Sequence, residues 1–161
     1  MKGIISLIIM LLIIKVCATA LSKIALAEDN EQCLVEAIYF EARGEDFVGQ
    51  LAVGTVIMER VESSKFPSTV CKVVKSGRYW KGNPVRNKCA FSYWCDGKSE
   101  KIKDYMAHDD AIQTALLVLQ GVRLHQVLGS TYYHASYVRP SWARKMKRVG
   151  IVGRHIFYKE K

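Results

Sequence analysis

Glu41 is a carboxylic acid on the apolar side of a predicted helix. Residues 31–42 have apolar side chains at helical spacing, and Glu41 lies four residues after Ala37 and three after Ile38. It also falls in the last turn, at the negative end of the helix dipole. Burial and the dipole both disfavour the carboxylate, so a raised pKa is predicted. A carboxyl group that stays protonated near neutral pH suits the general acid of a glycosidase, whereas a structural glutamate paired with Arg43 is the alternative.

Other reaction chemistries find little support in the sequence. His108, His125 and His155 do not have the spacing of metal ligands, and the cysteines form no C-x-x-C pair. The chain has no G-x-S-x-G motif for a serine nucleophile. We therefore predict no metal and no cofactor.

The elements predicted around Glu41 form one mostly α-helical α+β domain with a small C-terminal β-hairpin. Apolar periodicity predicts helices over residues 31–42, 47–61, 68–75 and 103–120, with Asp46 as the cap of the second. Residues 77–98 are rich in Gly, Asn, Lys and aromatic side chains, and we expect a long functional loop there. Residues 129–134 and 151–158 are predicted to form the hairpin, with an irregular or briefly helical segment at 140–147.

The N-terminal segment has the pattern of an export signal. Lys2 precedes an apolar run over residues 3–14, and Ala25-Leu26-Ala27 forms a cleavage site. We predict a signal peptide over residues 1–27 and a single domain over residues 28–161, with an uncleaved anchor as the alternative. The protein is expected in the periplasm, cell envelope or medium, as a monomer without stable membrane insertion after cleavage.

Charge and cysteine content agree with an exported protein. A formal net charge of +9 suits an anionic envelope polymer, and the scattered basic residues with no nucleic-acid motif do not predict a nucleic-acid partner. Cys33, Cys71, Cys89 and Cys95 are an even set, which indicates two disulfides in an oxidising compartment. Of the three pairings, Cys33–Cys71 and Cys89–Cys95 are favoured, and a zinc site is the alternative.

Several blocks of the chain, in order, resemble the SleB-like cell-wall hydrolases, the family of the spore-cortex-lytic enzymes. The blocks are AIYFEARGE (37–45), GQLAV (49–53), ERV (59–61), FPSTVC (66–71), CAFSYWCDG (89–97), YYH (132–134), PSWA (140–143) and GRHIFY (153–158). Two positions depart from the family pattern: Ala90 stands where Gln is frequent, and Glu59 where Asn is frequent.

The resemblance covers roughly residues 31–158 and implies a lysozyme-like fold, peptidoglycan as the substrate, and Glu41 as the catalytic glutamate. A lytic transglycosylase needs only this one carboxylate and is the favoured activity. A muramidase-type hydrolase would need a second, for which the candidates are Glu45, Asp46, Glu59 and Asp96. A non-catalytic glycan-binding envelope protein is a further alternative. An amidase or peptidase would need a metal triad or a nucleophile, and the sequence shows neither.

Substrate contacts are expected from the aromatic loop and the C-terminal hairpin. Sugar binding uses aromatic rings and hydrogen-bonding groups, and the candidates are Glu45, Phe91, Ser92, Tyr93, Tyr133 and His134. The alternative is core packing for each aromatic ring and a structural role for the histidine.

Overall fold

The computed structural model describes the backbone of residues 2–161 and the side chains of residues 10 and 12–161. The helices are α1 (Lys2–Ala42), α2 (Phe47–Glu62), α3 (Val70–Val74) and α4 (Tyr105–Leu119). The strands are β1 (Gly77–Trp80), β2 (Asn83–Cys89), β3 (Tyr132–Ala135), β4 (Lys147–Val152) and β5 (His155–Lys159). Short 3₁₀ helices occupy Ser92–Cys95, His125–Val127 and Ser141–Lys145. The predicted fold class, mostly helical with a small C-terminal sheet, is confirmed.

Helix α1 extends far beyond the predicted residues 31–42, because it begins at Lys2 and continues without a break to Ala42. Its described side chains before residue 30 are exposed, and its buried part is the last three turns. Within the described part of the chain, no helix combines the length and apolar composition of a membrane-spanning segment. Met1 and the side chains of residues 2–9 and 11, which belong to the predicted signal peptide, lie outside the described residues.

Helix α2 is the central helix of the core. Asp46 caps it as predicted, since its Oδ1 accepts a hydrogen bond from the Gly49 backbone amide at 2.9 Å. The helix passes so close to α4 that a Cβ at Gly54 would lie 2.7 Å from a methyl group of Val118. This tight packing against α1 and α4 fixes the direction of the last turn of α1, where Glu41 lies.

Residues 77–98 are not the long loop predicted from the sequence. They form an antiparallel hairpin of β1 and β2 followed by the 3₁₀ helix at Ser92–Cys95. Lys81 and Gly82 at the tip have φ values of 48° and 81°, which match the primed turn that joins two twisted strands. The usual hairpin signal is Asn-Gly or Asp-Gly, so the Lys-Gly pair did not mark this turn.

The C-terminal sheet has three strands, in the order β3-β5-β4. The predicted pairing of its first and last segments is present, with Tyr133 opposite Phe157. Residues 151–158, however, are not one strand, because a turn at Gly153 divides them between β4 and β5. The predicted helical segment contains the 3₁₀ helix Ser141–Lys145, and the additional strand β4 begins at Lys147, the last residue of that segment.

Two disulfides join these elements with the pairing favoured from the sequence. Cys33–Cys71 ties α1 to α3, and Cys89–Cys95 ties the end of β2 to the 3₁₀ helix that follows. The second bridge encloses Ala90 to Trp94 and fixes this segment beside the end of α1.

Candidate active site

A cleft of about 560 Å³ opens between the end of α1, the end of the β1–β2 hairpin and the C-terminal sheet. Its walls come from five parts of the chain, because Arg60 of α2 and His155 of β5 join the end of α1, the hairpin junction and the segment that begins at β3. The lining residues are Phe40, Glu41, Arg60, Cys89, Ala90, Ser92, Tyr133, His134, Ala135, Tyr137, Val138 and His155.

Glu41 lies in the wall of this cleft, half-buried in the last turn of α1. The Tyr133 hydroxyl on β3 donates a hydrogen bond to Glu41 Oε2 at 3.1 Å. Burial raises the pKa of Glu41, and this effect outweighs the hydroxyl of Tyr133, the backbone amide of Ser92 and the charge of Arg60, which all favour the ionised form. Glu41 is therefore placed to hold a proton and to give it to a bound molecule.

Arg60 is a cation in the same wall that the sequence analysis did not select. Only 7% of the residue is exposed, and its Nε donates to the Thr131 carbonyl oxygen at 2.8 Å. Its guanidinium lies 5.2 Å from the centre of the Phe91 ring. Burial lowers the pKa of Arg60, and the nearby Tyr133, Tyr132 and Glu41 oppose that effect.

The spacing of apolar residues along α2 is sufficient to identify Arg60 as a candidate site residue. It lies four residues after Val56 and three after Ile57, both fully buried, so it breaks the apolar side of α2 as Glu41 breaks that of α1. The two ionisable groups lie on neighbouring helices and line one cleft.

The aromatic candidates divide between the cleft surface and the core beneath it. Ser92 is exposed and lines the cleft, whereas Phe91 is 1% exposed and lies in the core under Arg60. Tyr93 is also buried, and its ring stacks on Phe40 at 4.7 Å between centroids. The geometry of Phe91 and Tyr93 corresponds to core packing, the alternative left open from the sequence.

Tyr133 and His134 both line the cleft, but they make different contacts. Tyr133 contacts Glu41, as described above, whereas His134 Nε2 is 3.0 Å from the Tyr158 hydroxyl. His134 also lines a second cavity on its other side, together with Arg139 and Arg144. It therefore stands between the cleft and this neighbouring cavity.

Glu45 does not line the cleft with Glu41. Its side chain is 6% exposed and accepts hydrogen bonds from the backbone amide and the Nε of Arg154, at 3.0 and 2.8 Å. Glycine at position 153 permits this approach, since a Cβ there would collide with the Glu45 carboxylate. The contact ties the end of α1 to the turn between β4 and β5.

The other candidate carboxylates also lie outside the cleft. Asp46 caps α2, Asp96 faces Lys98 at 3.5 Å, and Glu59 does not contribute to the lining. Among the residues whose side chains are described, Glu41 is the only acid that lines the cleft.

His155 is a second lining residue that the sequence analysis did not select as a candidate. Its Nδ1 is 3.9 Å from Glu45 Oε1, and its ring meets the Tyr133 ring edge-on at 5.3 Å. Burial lowers its pKa, although Glu45 acts in the opposite direction. A neutral His155 therefore packs beside the tyrosine that contacts Glu41.

Known proteins are similar to this chain in sequence. Residues 44–158 match the family described as Cell Wall Hydrolase. The spore cortex-lytic enzyme of Halalkalibacterium halodurans is 33% identical over 132 residues, which are 80% of this chain and 34% of that protein. The enzyme of the same name from Bacillus cereus is 28% identical over 135 residues, 83% of this chain and 45% of that protein. The chain thus spans between a third and a half of the length of these curated relatives.

Two solved catalytic domains have the same architecture. The catalytic domain of the Bacillus cereus SleB protein is 28% identical and superposes with a TM-score of 0.63, over 82% of this chain and 91% of that domain. The catalytic domain of the germination-specific lytic transglycosylase SleB from Bacillus anthracis also gives a TM-score of 0.63 at 28% identity, over 81% and 93%. The chain belongs to the cell wall hydrolase family and has the fold of the SleB catalytic domain.

Proposed function

We propose that this protein cleaves the glycan strands of peptidoglycan as a lytic transglycosylase, with Glu41 as both acid and base. The bond cleaved joins C1 of N-acetylmuramic acid to the oxygen of the next N-acetylglucosamine. The family and the SleB-type fold support this substrate. Glu41 precedes the segment matched by the family model, so its role rests on the geometry of the cleft.

The proposed reaction has two proton transfers through one carboxyl group. Protonated Glu41 first donates its proton to the glycosidic oxygen, and the bond from that oxygen to C1 breaks. The Glu41 carboxylate then takes the proton of the muramic C6 hydroxyl, whose oxygen bonds to C1. The product ends in a 1,6-anhydro sugar, no water is consumed, and Glu41 returns to its protonated form.

The observation that carries this proposal is that the cleft has, among the side chains described, one carboxyl group, and that its surroundings favour the protonated form. A hydrolase needs a second carboxylate, about 5–9.5 Å away, to bond to the sugar or to activate water. Glu45, Asp46, Glu59 and Asp96 all lie outside the lining, as described above. The transglycosylase is therefore favoured over the muramidase, and a half-buried acid in the wall of the cleft favours an enzyme over a protein that only binds glycan.

We also propose that the protein is exported, with residues 1–27 removed as a signal peptide. Its substrate class lies outside the cytoplasm, and two disulfides suit an oxidising compartment. N-terminal sequencing of protein recovered from the periplasm or medium should begin at Glu28. Recovery of the intact chain in the membrane fraction would favour the anchor.

Glu41→Gln tests the catalytic role. The amide keeps the size of the side chain but cannot donate a carboxylic proton, so the rate of sacculus digestion should fall by about 10²–10⁴-fold. Glu36→Gln is the matched control, because it makes the same change on the same helix at a residue outside the cleft. It should keep the wild-type rate, and thermal melts should show that both variants are folded.

Mass spectrometry of the released fragments identifies the reaction. Anhydro ends support the transglycosylase, reducing ends indicate a muramidase, and free peptides indicate an amidase. A folded Glu41→Gln variant that digests sacculi at the wild-type rate would show that the acid is another residue. Wild-type protein that binds sacculi without digesting them would support the non-catalytic alternative.

A further inference from the structure

The β1–β2 hairpin and its flanks carry a large local excess of positive charge. Between Glu62 and Asp96 the chain has seven basic residues and no acidic one. The basic residues are Lys65, Lys72, Lys75, Arg78, Lys81, Arg86 and Lys88. Such a segment repels other cations and attracts an anionic polymer.

The same hairpin presents aromatic rings to solvent. Every residue of β1 is exposed, and Trp80 beside the tip is 70% exposed. The Trp94 indole donates to the Tyr79 hydroxyl at 3.0 Å, and Lys75 Nζ lies 4.7 Å from the centre of the Trp94 ring. The contact between Trp94 and Tyr79 holds β1 against the neighbouring 3₁₀ helix, so this part of the hairpin has a defined position beside it.

The hairpin continues directly from the cleft. Strand β2 ends at Cys89, and Cys89 and Ala90 both line the cleft. The Cys89–Cys95 disulfide fixes this junction. A strand of seven residues is about 20 Å long, so a polymer leaving the cleft on this side passes along several of the basic side chains.

We propose that this hairpin binds the carboxylates of the peptide stems carried by the glycan strand, with Arg78, Lys81 and Lys88 as cationic contacts. The inference rests on the proposed function, because it takes peptidoglycan as the polymer in the cleft. The stems project from alternate sugars and carry free carboxylates, which matches a row of exposed cations beginning at the cleft. The exposed Trp80 ring adds an apolar surface for a sugar or an aliphatic side chain.

The test measures binding to purified sacculi from which attached phosphate polymers have been stripped. All proteins carry Glu41→Gln, so that the sacculi are not digested during the measurement. Arg78→Gln/Lys81→Gln/Lys88→Gln removes three exposed charges. Lys145→Gln/Lys147→Gln/Arg148→Gln is the control with the same loss of exposed charge, at the end of the third 3₁₀ helix and the start of β4. Each variant is assayed on native sacculi and on sacculi whose carboxylates have been converted to amides.

The hairpin variant should bind native sacculi about tenfold more weakly, since each exposed ion pair contributes about a factor of two. The control should stay within about twofold of the parent. Amidation of the sacculi should weaken the parent by a similar factor and leave the hairpin variant almost unchanged, because the two changes remove the same contacts.

Equal binding of the hairpin and control variants would overturn the proposal. A hairpin effect that persists on amidated sacculi would also overturn it, since the carboxylates would then not be the partners. Binding to anionic phospholipid vesicles that depends on the hairpin, without an effect on sacculi, would assign the surface to a membrane instead. Failure of the wild type to digest sacculi would count against the proposed function, whereas these binding measurements judge the hairpin separately.

Discussion

The hydrogen bond from Tyr133 to Glu41 predicts a specific change in the pH dependence of activity. Tyr133→Phe removes the hydroxyl that donates to Glu41 Oε2 at 3.1 Å. It keeps the ring, which stacks on Phe157 with 5.7 Å between centroids. The substitution therefore changes the electrostatics of Glu41 with little loss of packing.

The magnitude follows from the difference between a neutral and a charged acceptor. A hydrogen bond to a neutral group contributes about 1 kcal/mol and one to a charged group about 2 kcal/mol. Glu41 becomes a carboxylate as it gives up its proton, so the transition state loses about 1 kcal/mol more than the ground state. This corresponds to a decrease in kcat of about fivefold.

The direction of the pH shift is fixed by the same contact. The Tyr133 hydroxyl lowers the pKa of Glu41, whereas burial, the larger effect, raises it. Without the hydroxyl, the pKa of Glu41 rises further. Activity that requires protonated Glu41 falls as pH rises through this pKa, so the alkaline fall in rate should move to higher pH in Tyr133→Phe.

Initial rates of sacculus digestion across the pH range measure both effects. Tyr132→Phe is the matched control, because Tyr132 is the preceding residue of β3 and its hydroxyl faces Glu160 at 3.4 Å, outside the cleft. An alkaline limb that moves to lower pH, or moves equally in both variants, would refute the coupling between Tyr133 and Glu41.

Two further predictions concern stability. Because burial raises the pKa of Glu41 above its ordinary 4.5, the folded protein binds this proton more tightly than the unfolded chain, and stability is lost as pH rises through that interval. Glu41→Gln removes this loss of stability. Thermal melts should therefore show no stability advantage of the variant over the wild type near pH 4 and a growing advantage toward pH 7. A difference in melting temperature that is the same at every pH would contradict the raised pKa. Loss of the Cys33–Cys71 bridge by double substitution to Ser should cost about 4 kcal/mol in urea unfolding, and loss of Cys89–Cys95 about 2 kcal/mol, because the bridges span 38 and 6 residues. Equal losses would show that chain entropy does not set their contributions.

Apolar spacing and capping residues predicted the elements that form through contacts between residues close together in the sequence. The spacing of apolar residues located α2 within one residue at each end, and the Asp46 cap marked its start. The position of Glu41 on the apolar side of α1 marked it as a candidate, and the resemblance to the cell-wall hydrolases selected it over a structural glutamate. Spacing gave less information about Tyr39, which lies on the more polar side of the helix but is completely buried. Its hydroxyl accepts hydrogen bonds from the backbone amides of Lys103 and Asp104, a contact with a distant segment that a helical pattern does not contain.

The assembly of the site depends on contacts that are distant in sequence. Tyr133 and Glu41 are 92 residues apart, and only the packing of β3 against the end of α1 brings them together. Glu45 was a reasonable candidate because it follows Glu41 by one turn, but the helix ends at Ala42 and the chain directs Glu45 to Arg154 instead. Aromatic composition alone also did not separate the exposed Trp80 from the buried Phe91.

The surroundings of Glu41 match the two tasks that a single catalytic carboxyl group must perform. Burial alone would make a good proton donor, but it would also make the carboxylate costly to form and therefore slow the first step. Tyr133, the Ser92 amide and Arg60 all favour the anion, and they come from β3, the hairpin junction and α2. A group that gives a proton and then takes one back at the same pH needs both influences, because either alone would favour one step at the expense of the other. Three anion-stabilising groups around one half-buried acid therefore support the proposed mechanism, in which Glu41 acts without a second carboxylate.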